Sequence, residues 1–351
     1  MKKLALKLKP YVWISLACVV AFCICLGLFI NVLSAVGSLN AAKVWAGDSD
    51  MRFAQLAVFF PESDKLEEGD LASYFKTVDE KLAEASVEEE EGHTLYNYAV
   101  SGSGKVTVNG EKGNQSVTAI GVGGDFFLFH PMTLRSGSYI SKDDFMDDRV
   151  VLDRELAWSL FGGINVEGME VIIDNERFIV AGVVEREDDY ATKKAYTDGP
   201  GLFMSYSALN RLTEEKISCL EVVMPDVISG FALKVTEDAF TGRNAEVIEN
   251  SKRYSVSQIM HITGSFSERT VQHNGIVYPY WENAVRITES NLSVLFVLMI
   301  IFGAFPLVTL IVVITRFVSA KIKYLKETVP KKIEERIEEK KEENYRKTGG
   351  Q

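Results

Sequence analysis

Residues 149–184 read RVVLDRELAWSLFGGINVEGMEVIIDNERFIVAGVV, the densest run of local structural signals in the chain. The β-branched residues Val150 and Val151, with Leu152, predict a strand that stops at Asp153. An aspartate there can cap a following helix by accepting its first free N–H groups. Leu156, Ala157, Leu160 and Phe161 recur at helical spacing, and Gly162 and Gly163 end the helix, since glycine tolerates a left-handed backbone. Residues 171–173 and 178–180 then alternate as strands around Asp174 and Asn175, a pair suited to a tight turn. The unit is strand, helix, hairpin.

Upstream, residues 120–127 read IGVGGDFF and are followed by Gly137 and Asp144. The ordered series of this block, the helix ending in LFG, the glycine before a strand and the closing F-x-V-x-G-V resembles the extracytoplasmic core domain of MacB-type ABC transporter permeases. The resemblance covers about a third of the chain as an ordered set of weak blocks. It implies an α+β exported domain of two lobes, the MacB-like periplasmic core, between two transmembrane helices. The smaller lobe is expected as an insertion over roughly 128–190.

The charge distribution gives an independent reading of compartment. Of the 351 residues, 38 are basic and 49 acidic, yet the balance is uneven along the chain. Lys2, Lys3, Lys7 and Lys9 precede the first apolar run with no acid among them, and from Arg316 onward 11 Lys/Arg face 7 Asp/Glu. The middle is left with 23 bases against 42 acids, a net −19. Basic ends around an acidic body are the mark of a chain that crosses a bilayer twice with both ends inside. Residues 11–36 are almost wholly apolar and, at about 1.5 Å per residue, reach roughly 39 Å, more than the ~30 Å hydrocarbon core. Residues 292–317 are similar, with Gly303 and Pro306 as interruptions that membrane helices accept.

The expected organisation is therefore a cytoplasmic N-terminus over 1–10, a first span over 11–37, an extracytoplasmic domain over 38–291, a second span over 292–317 and a charged cytoplasmic tail over 318–351. A cleaved signal peptide would have an apolar core about half as long as the first span, so the reading is an uncleaved anchor. Cys18, Cys23 and Cys25 fall in that span and Cys219 alone in the exported part, which leaves the domain to ordinary packing instead of disulfides. A Gram-positive surface and a periplasm both fit.

Within the exported part, residues 40–50 continue the first helix outward, and 53–60 read as a strand stopped by Pro61. Leu71, Tyr74, Phe75, Val78, Leu82 and Ala85 form one face of a helix that starts near Gly69 and Asp70. Strands are expected over 95–100, 105–108 and 117–122, a short helix over 206–216, a buried strand over 219–224 and a helix over 231–240. Ser101 to Lys105, SGSGK, lacks the earlier glycine and the following Ser or Thr of a phosphate-binding loop, because Ala99 and Val106 stand there. It is read as a hairpin loop. The polar excursion from Glu185 to Gly201 is the expected mobile or partner-contacting loop. Tyr278, Tyr280 and Trp281 are read as an interfacial aromatic belt, with Arg286 and Glu289 pairing at the surface. The tail carries Ile333 and Ile337 as its one apolar pair, too little for a stable isolated helix.

No catalytic, cofactor-binding or metal-binding residues are assigned. His93, His130, His261 and His273 share no metal-ligand spacing with other ligand types, and no nucleophile elbow is present. The acidic runs Glu88 to Glu91 and Asp143, Asp144, Asp147, Asp148 read as solvated turns. A domain at −19 repels nucleic acid. The resemblance implies a non-enzymatic permease component in the lipid bilayer that works with a separate cytoplasmic ABC ATPase. Such permeases ordinarily have four spans and this chain shows two, so further membrane subunits, or a homo- or heterodimer, are expected. An extracytoplasmic ligand sensor or scaffold signalling through a partner is the alternative layout, and an anchored hydrolase a third.

Overall fold

The computed structural model describes residues 2–34, 40–87, 94–141, 144, 146–196, 199, 201–264, 272–273 and 275–349. Glu88 to Glu91, His93 and Asp143 lie outside them. The chain divides into two compact units, Met1–Ile30 with Val294–Gln351, and Asn31–Ser293.

The first unit is made of helices. Helix α1 (Lys2–Ser34) contains the apolar stretch Pro10–Leu33, which is long and apolar enough to cross a membrane. The last helix of the chain, α10, spans Tyr280–Thr348 and contains the second such stretch. Within this unit the ring of Phe22 lies 3.5 Å from where a Cβ on Gly303 would stand, an ordinary packing contact. The tail, expected not to hold a helix, continues α10 past Pro330. Its Glu, Lys and Arg residues are good helix formers, and Lys323 and Glu327 pair across one turn at 3.8 Å.

The second unit begins with α2 (Ala41–Ala46), which stops at Gly47 instead of continuing outward to residue 50. Gly47 takes a φ of +51° there. Strand β1 (Phe53–Phe59) follows, then helix α3 (Glu68–Glu84), which begins slightly earlier than its apolar periodicity indicates. A capping box explains the start: the side chains of Glu67 and Asp70 each accept a backbone N–H of the other's end of the first turn. Tyr74, Val78 and Leu82, one turn apart, form its buried face.

Strands β2 (Asn97–Asn109) and β3 (Asn114–Gly124) make one long hairpin. SGSGK therefore lies in the middle of β2 and is not a loop. The sequence looks loop-like because a neighbouring segment passes close over the strand: a Cβ on Gly102 would stand 2.8 Å from the Lys216 carbonyl oxygen, and one on Gly104 3.0 Å from the Thr213 hydroxyl. Next come α4 (Phe126–Phe129), β4 (Thr133–Gly137) and the strand, helix and hairpin unit itself. That unit is β5 (Arg149–Asp153), α5 (Arg154–Phe161), β6 (Glu170–Ile173) and β7 (Glu176–Glu185). Asp153 caps α5 through the N–H groups of Glu155 and Leu156, Gly162 closes it at a φ of +76°, and Asp174 and Asn175 turn the hairpin at +45° and +72°.

The rest of the domain is α6 (Tyr190–Ala195), β8 (Gly201–Ser205), α7 (Tyr206–Thr213), β9 (Cys219–Pro225), α8 (Phe231–Ala239), β10 (Glu246–Glu249), α9 (Val256–Gly264) and the short strands β11 (Gln272–His273) and β12 (Ile276–Val277). The excursion from Glu185 to Gly201 thus contains a helix, capped by Asp189. Residues 197, 198 and 200 lie outside the described set.

Ten strands form one sheet in the order β10-β1-β9-β2-β3-β8-β5-β7-β4, and β6 pairs with both β7 and β2. The pairing consequently returns on itself through β2, β3, β8, β5, β7 and β6, while β10, β1 and β9 extend from β2 as an open half. The 13-residue β2 belongs to both halves. Each has its own core. The closed circuit encloses Val106, Val150, Leu152, Leu156, Leu160, Ile173 and their neighbours. The open half packs Leu56, Val58, Leu220 and Val222 under α3 and α8. Fully burying one such aliphatic side chain contributes about 1.5–3 kcal/mol, so the domain does not depend on its single cysteine, Cys219, which is a free and buried thiol. Ala99, next to Val100 on β2, points to the opposite face, where a third, aromatic-rich cluster gathers around Phe126, Phe203 and Trp281.

Candidate functional site: the seat of α10

The first turns of α10, residues 280–293, are part of the second unit and carry Trp281 into its aromatic cluster. Trp281 is only 8% exposed. Its ring meets Phe126 at 5.4 Å and His130 at 4.6 Å, and Tyr280 at 5.0 Å nearly perpendicular. Tyr280 in turn stacks on Tyr196 at 4.1 Å. Tyr278 is buried as well, its ring edge on to Phe59 and its hydroxyl donating to Glu246. These aromatics are therefore domain core, not a belt at the lipid surface. The sequence cannot separate the two cases, since both place aromatics beside a span.

The opposite side of the same turns is held by charge. Arg253 follows the 3-10 turn Asn250–Lys252 that leaves β10. Its Nε donates to Glu289 Oε1 at 2.8 Å, Nη1 to Glu282 Oε2 at 2.7 Å and to Asn250 Oδ1 at 3.0 Å. Nη2 donates to Glu282 Oε1 at 2.7 Å and to Glu289 Oε2 at 3.3 Å. These five bonds match the five N–H groups of a guanidinium, so none is left over. Arg253 is 3% exposed, Glu282 2% and Glu289 0%. Glu282 and Glu289 are two helical turns apart and share one face of α10, which lets a single planar cation bridge them. The surface pairing expected for Glu289 is thus replaced by full burial.

Arg286, on the same face, donates from Nε to Glu282 Oε1 at 2.6 Å and from Nη2 to both oxygens of Glu246 at 3.1 and 3.0 Å. Its guanidinium lies 3.8 Å from the centroid of the Tyr278 ring. Burial alone would raise the Glu282 carboxyl, but Arg253 and Arg286 outweigh it and hold that carboxyl below the usual range. Burial would likewise lower Arg253, and its two glutamates instead raise it well above its ordinary value. The hydroxyl of Tyr254 is buried next to this cluster without a partner among the described residues, and burial pushes it up.

A cavity of about 360 Å³ opens beside the seat, over the aromatic face of the sheet. Ser103 and Thr118 lie on its floor, and Tyr196, Tyr280 and Trp281 on its wall. At its edge Arg186 donates to Asp153 and to the Gly199 carbonyl, with its guanidinium 4.5 Å from the Tyr196 centroid. Burial raises Asp153, and Arg186 and the two helix amides only partly offset it. Burial also pushes Tyr196 and Tyr280 upward.

His130 is buried against Glu221, with its Nε2 bonded to that carboxylate. It is a satisfied core histidine. His261 lies on α9, and the side chain of His273 is outside the described residues. Among the described residues, no group of three or more His, Cys, Asp or Glu could hold a metal ion. Asp144, Asp147 and Asp148 remain in a turn, where Asp144 pairs with Arg149 at 3.4 Å.

Sequence reasoning missed Arg253 and Glu282. A signal existed for the glutamates: Glu282, Arg286 and Glu289 recur at helical spacing immediately before an apolar run. Nothing local marks Arg253.

Residues 15–243 match the family described as the MacB-like periplasmic core domain. Among solved structures, the periplasmic region of MacB from Actinobacillus actinomycetemcomitans is similar over 62% of this chain and 94% of that one, at 17% identity and a TM-score of 0.42. The extracellular domain of the noncanonic ABC-type transporter YknZ from Gram-positive bacteria is similar over 56% of this chain and 100% of that one, at 13% identity and a TM-score of 0.37. No curated protein matches the chain.

Proposed function

The chain belongs to the family of MacB-like periplasmic core domain proteins, which implies an ABC-type transporter permease component, and we propose that it is the membrane subunit of an export or mechanotransmission system. It works with a separate cytoplasmic ATPase and another membrane subunit, and carries no catalytic centre of its own. Its termini face the cytoplasm, and residues 38–291 lie outside. The observation that carries this reading is the buried bridge from Arg253 to Glu282 and Glu289. A helix that continues into an apolar segment is fixed at its outer end by a fully coordinated charge cluster, the kind of joint that passes displacement on instead of absorbing it.

Affinity purification of the full chain from solubilised membranes, followed by mass spectrometry, tests the partners. Enrichment of an ABC ATPase together with a four-span permease is expected. Enrichment of a histidine kinase in their place would contradict transport and support the second reading, an extracytoplasmic sensor or scaffold that signals through a partner. The cavity favours that second reading, because the first turn of α10 forms part of its wall.

A further inference from the structure

We propose that the cavity beside the seat of α10 is a binding site for an uncharged amphipathic small molecule, one with an apolar or ring face and hydroxyl or amide groups. Its size of about 360 Å³ lies within the range of small-ligand pockets, and it combines an aromatic wall with a few polar groups on its floor. The wall offers the half-buried ring of Tyr280, backed by Tyr196, on which it stacks and over which the Arg186 guanidinium lies. The floor offers the hydroxyls of Ser103 and Thr118, whose strands β2 and β3 are paired so that both residues point to this face of the sheet.

The charges at the edge select against an ion. Asp153 is held by Arg186 and by two amides of α5. Glu185 is held by Arg135 at 2.8 Å and Arg154 at 3.2 Å, and Glu187 accepts the hydroxyl of Tyr196 at 3.0 Å. Arg186 donates to Asp153 and the Gly199 carbonyl and lies over the Tyr196 ring. An anion reaching Arg186 would meet the carboxylates of Asp153, Glu185 and Glu187 at the same edge and compete with Asp153, whose side chain is 5% exposed, for the guanidinium. A cation would have to compete with three arginines for Asp153 and Glu185, and with the Tyr196 hydroxyl for Glu187. A neutral ligand breaks none of these pairs: it stacks on the aromatic wall and takes its hydrogen bonds from the floor. Because Tyr280 and Trp281 belong to α10, the occupant touches the helix that continues into the apolar segment. This inference does not depend on which partner the protein recruits.

Phenyl β-D-glucoside is a suitable uncharged probe, with phenyl phosphate and phenethylamine as its anionic and cationic counterparts. Each would be titrated by saturation-transfer NMR into the full chain in lipid nanodiscs, with protein-free nanodiscs as the baseline. The glucoside is expected to bind saturably and at least about tenfold more tightly than either ion. Ser103→Trp places a ring on the cavity floor and is expected to weaken glucoside binding about tenfold or more. Thr107→Trp, four residues along the same face of β2, paired with Ser116 and outside the cavity, is expected to leave binding unchanged and controls for folding. Three results would overturn the proposal: no saturable signal from the glucoside above the baseline, equal binding by Ser103→Trp, or tighter binding of either ion. If all three probes are refused, the space belongs to a partner's side chain or to water alone, and the proposal falls.

Discussion

Two arginine–carboxylate contacts lie beside the first turns of α10, one fully buried and one half-buried, and they are built to different standards. At Arg253 every donor is used, both carboxylates are almost inaccessible, and Glu282 is held below its ordinary range despite its burial. At Arg186 the partner Asp153 is raised instead, because one arginine and two amides do not make up for its desolvation. A buried ion pair is secure only when its remaining hydrogen-bonding capacity is also met. The first contact is therefore a fixed joint. The second is the looser edge of a cavity.

Removing the arginine from each site should separate them most clearly. Arg253→Met takes from two buried glutamates the cation they share, leaving Glu282 with Arg286, and is expected to cost about 3–5 kcal/mol, read from the denaturation midpoint of the full chain. Adding Glu282→Gln and Glu289→Gln removes the stranded charges and should restore more than half of that loss. If the triple variant is as unstable as the single one, packing and not charge holds the seat.

Arg186→Gln should cost less, about 1–2 kcal/mol, since Asp153 keeps its amide partners and can take up a proton. Equal losses for Arg186→Gln and Arg253→Met would erase the distinction between the two sites. Asp153→Asn is a smaller change still, about 0.5–1 kcal/mol, because asparagine also caps a helix and the lost charge was a strained one. The same denaturation series measures it.

The pH dependence gives the finest contrast. Glu282 is lowered from an ordinary value of 4.5, so its contribution is present above that pH and is lost as pH falls through the depressed native value. Asp153 is raised from 3.8, so its contribution is greatest below that pH and is lost as pH rises through the native value. Removing either arginine raises the carboxylate it held, so midpoints measured between about pH 3 and 6 should shift toward greater relative stability in acid in both variants, from opposite starting points. Arg253→Met should remove the acid loss attributable to Glu282, and Arg186→Gln should enlarge the acid gain attributable to Asp153.

The sequence was most informative where structure is set by neighbours along the chain. Asp153, Gly162 and the Asp174–Asn175 turn each act within a few residues, and all three sit where their chemistry requires. The two apolar stretches were equally plain, because a bilayer-length run needs no partner to be recognised. What escaped depends on distant contacts. Gly102 and Gly104 look like a loop until Lys216 and Thr213 are seen passing over them. Trp281 beside a span looks like a lipid anchor until Phe126 and His130 arrive from elsewhere. Arg253 is 29 residues from Glu282 and 36 from Glu289, separations that no periodicity reports. The order of the sheet, in which β9 lies between β1 and β2, is likewise a tertiary outcome.

Hydrogen exchange of the full chain in lipid nanodiscs, followed over the amides of residues 280–293, tests the role of the Arg253 joint most directly. Strong protection in the native protein, lost selectively over these residues in Arg253→Met while α3 and β9 stay protected, is the predicted result. Unchanged protection of 280–293 in that variant would contradict the account, since the helix would then be held without its charged seat.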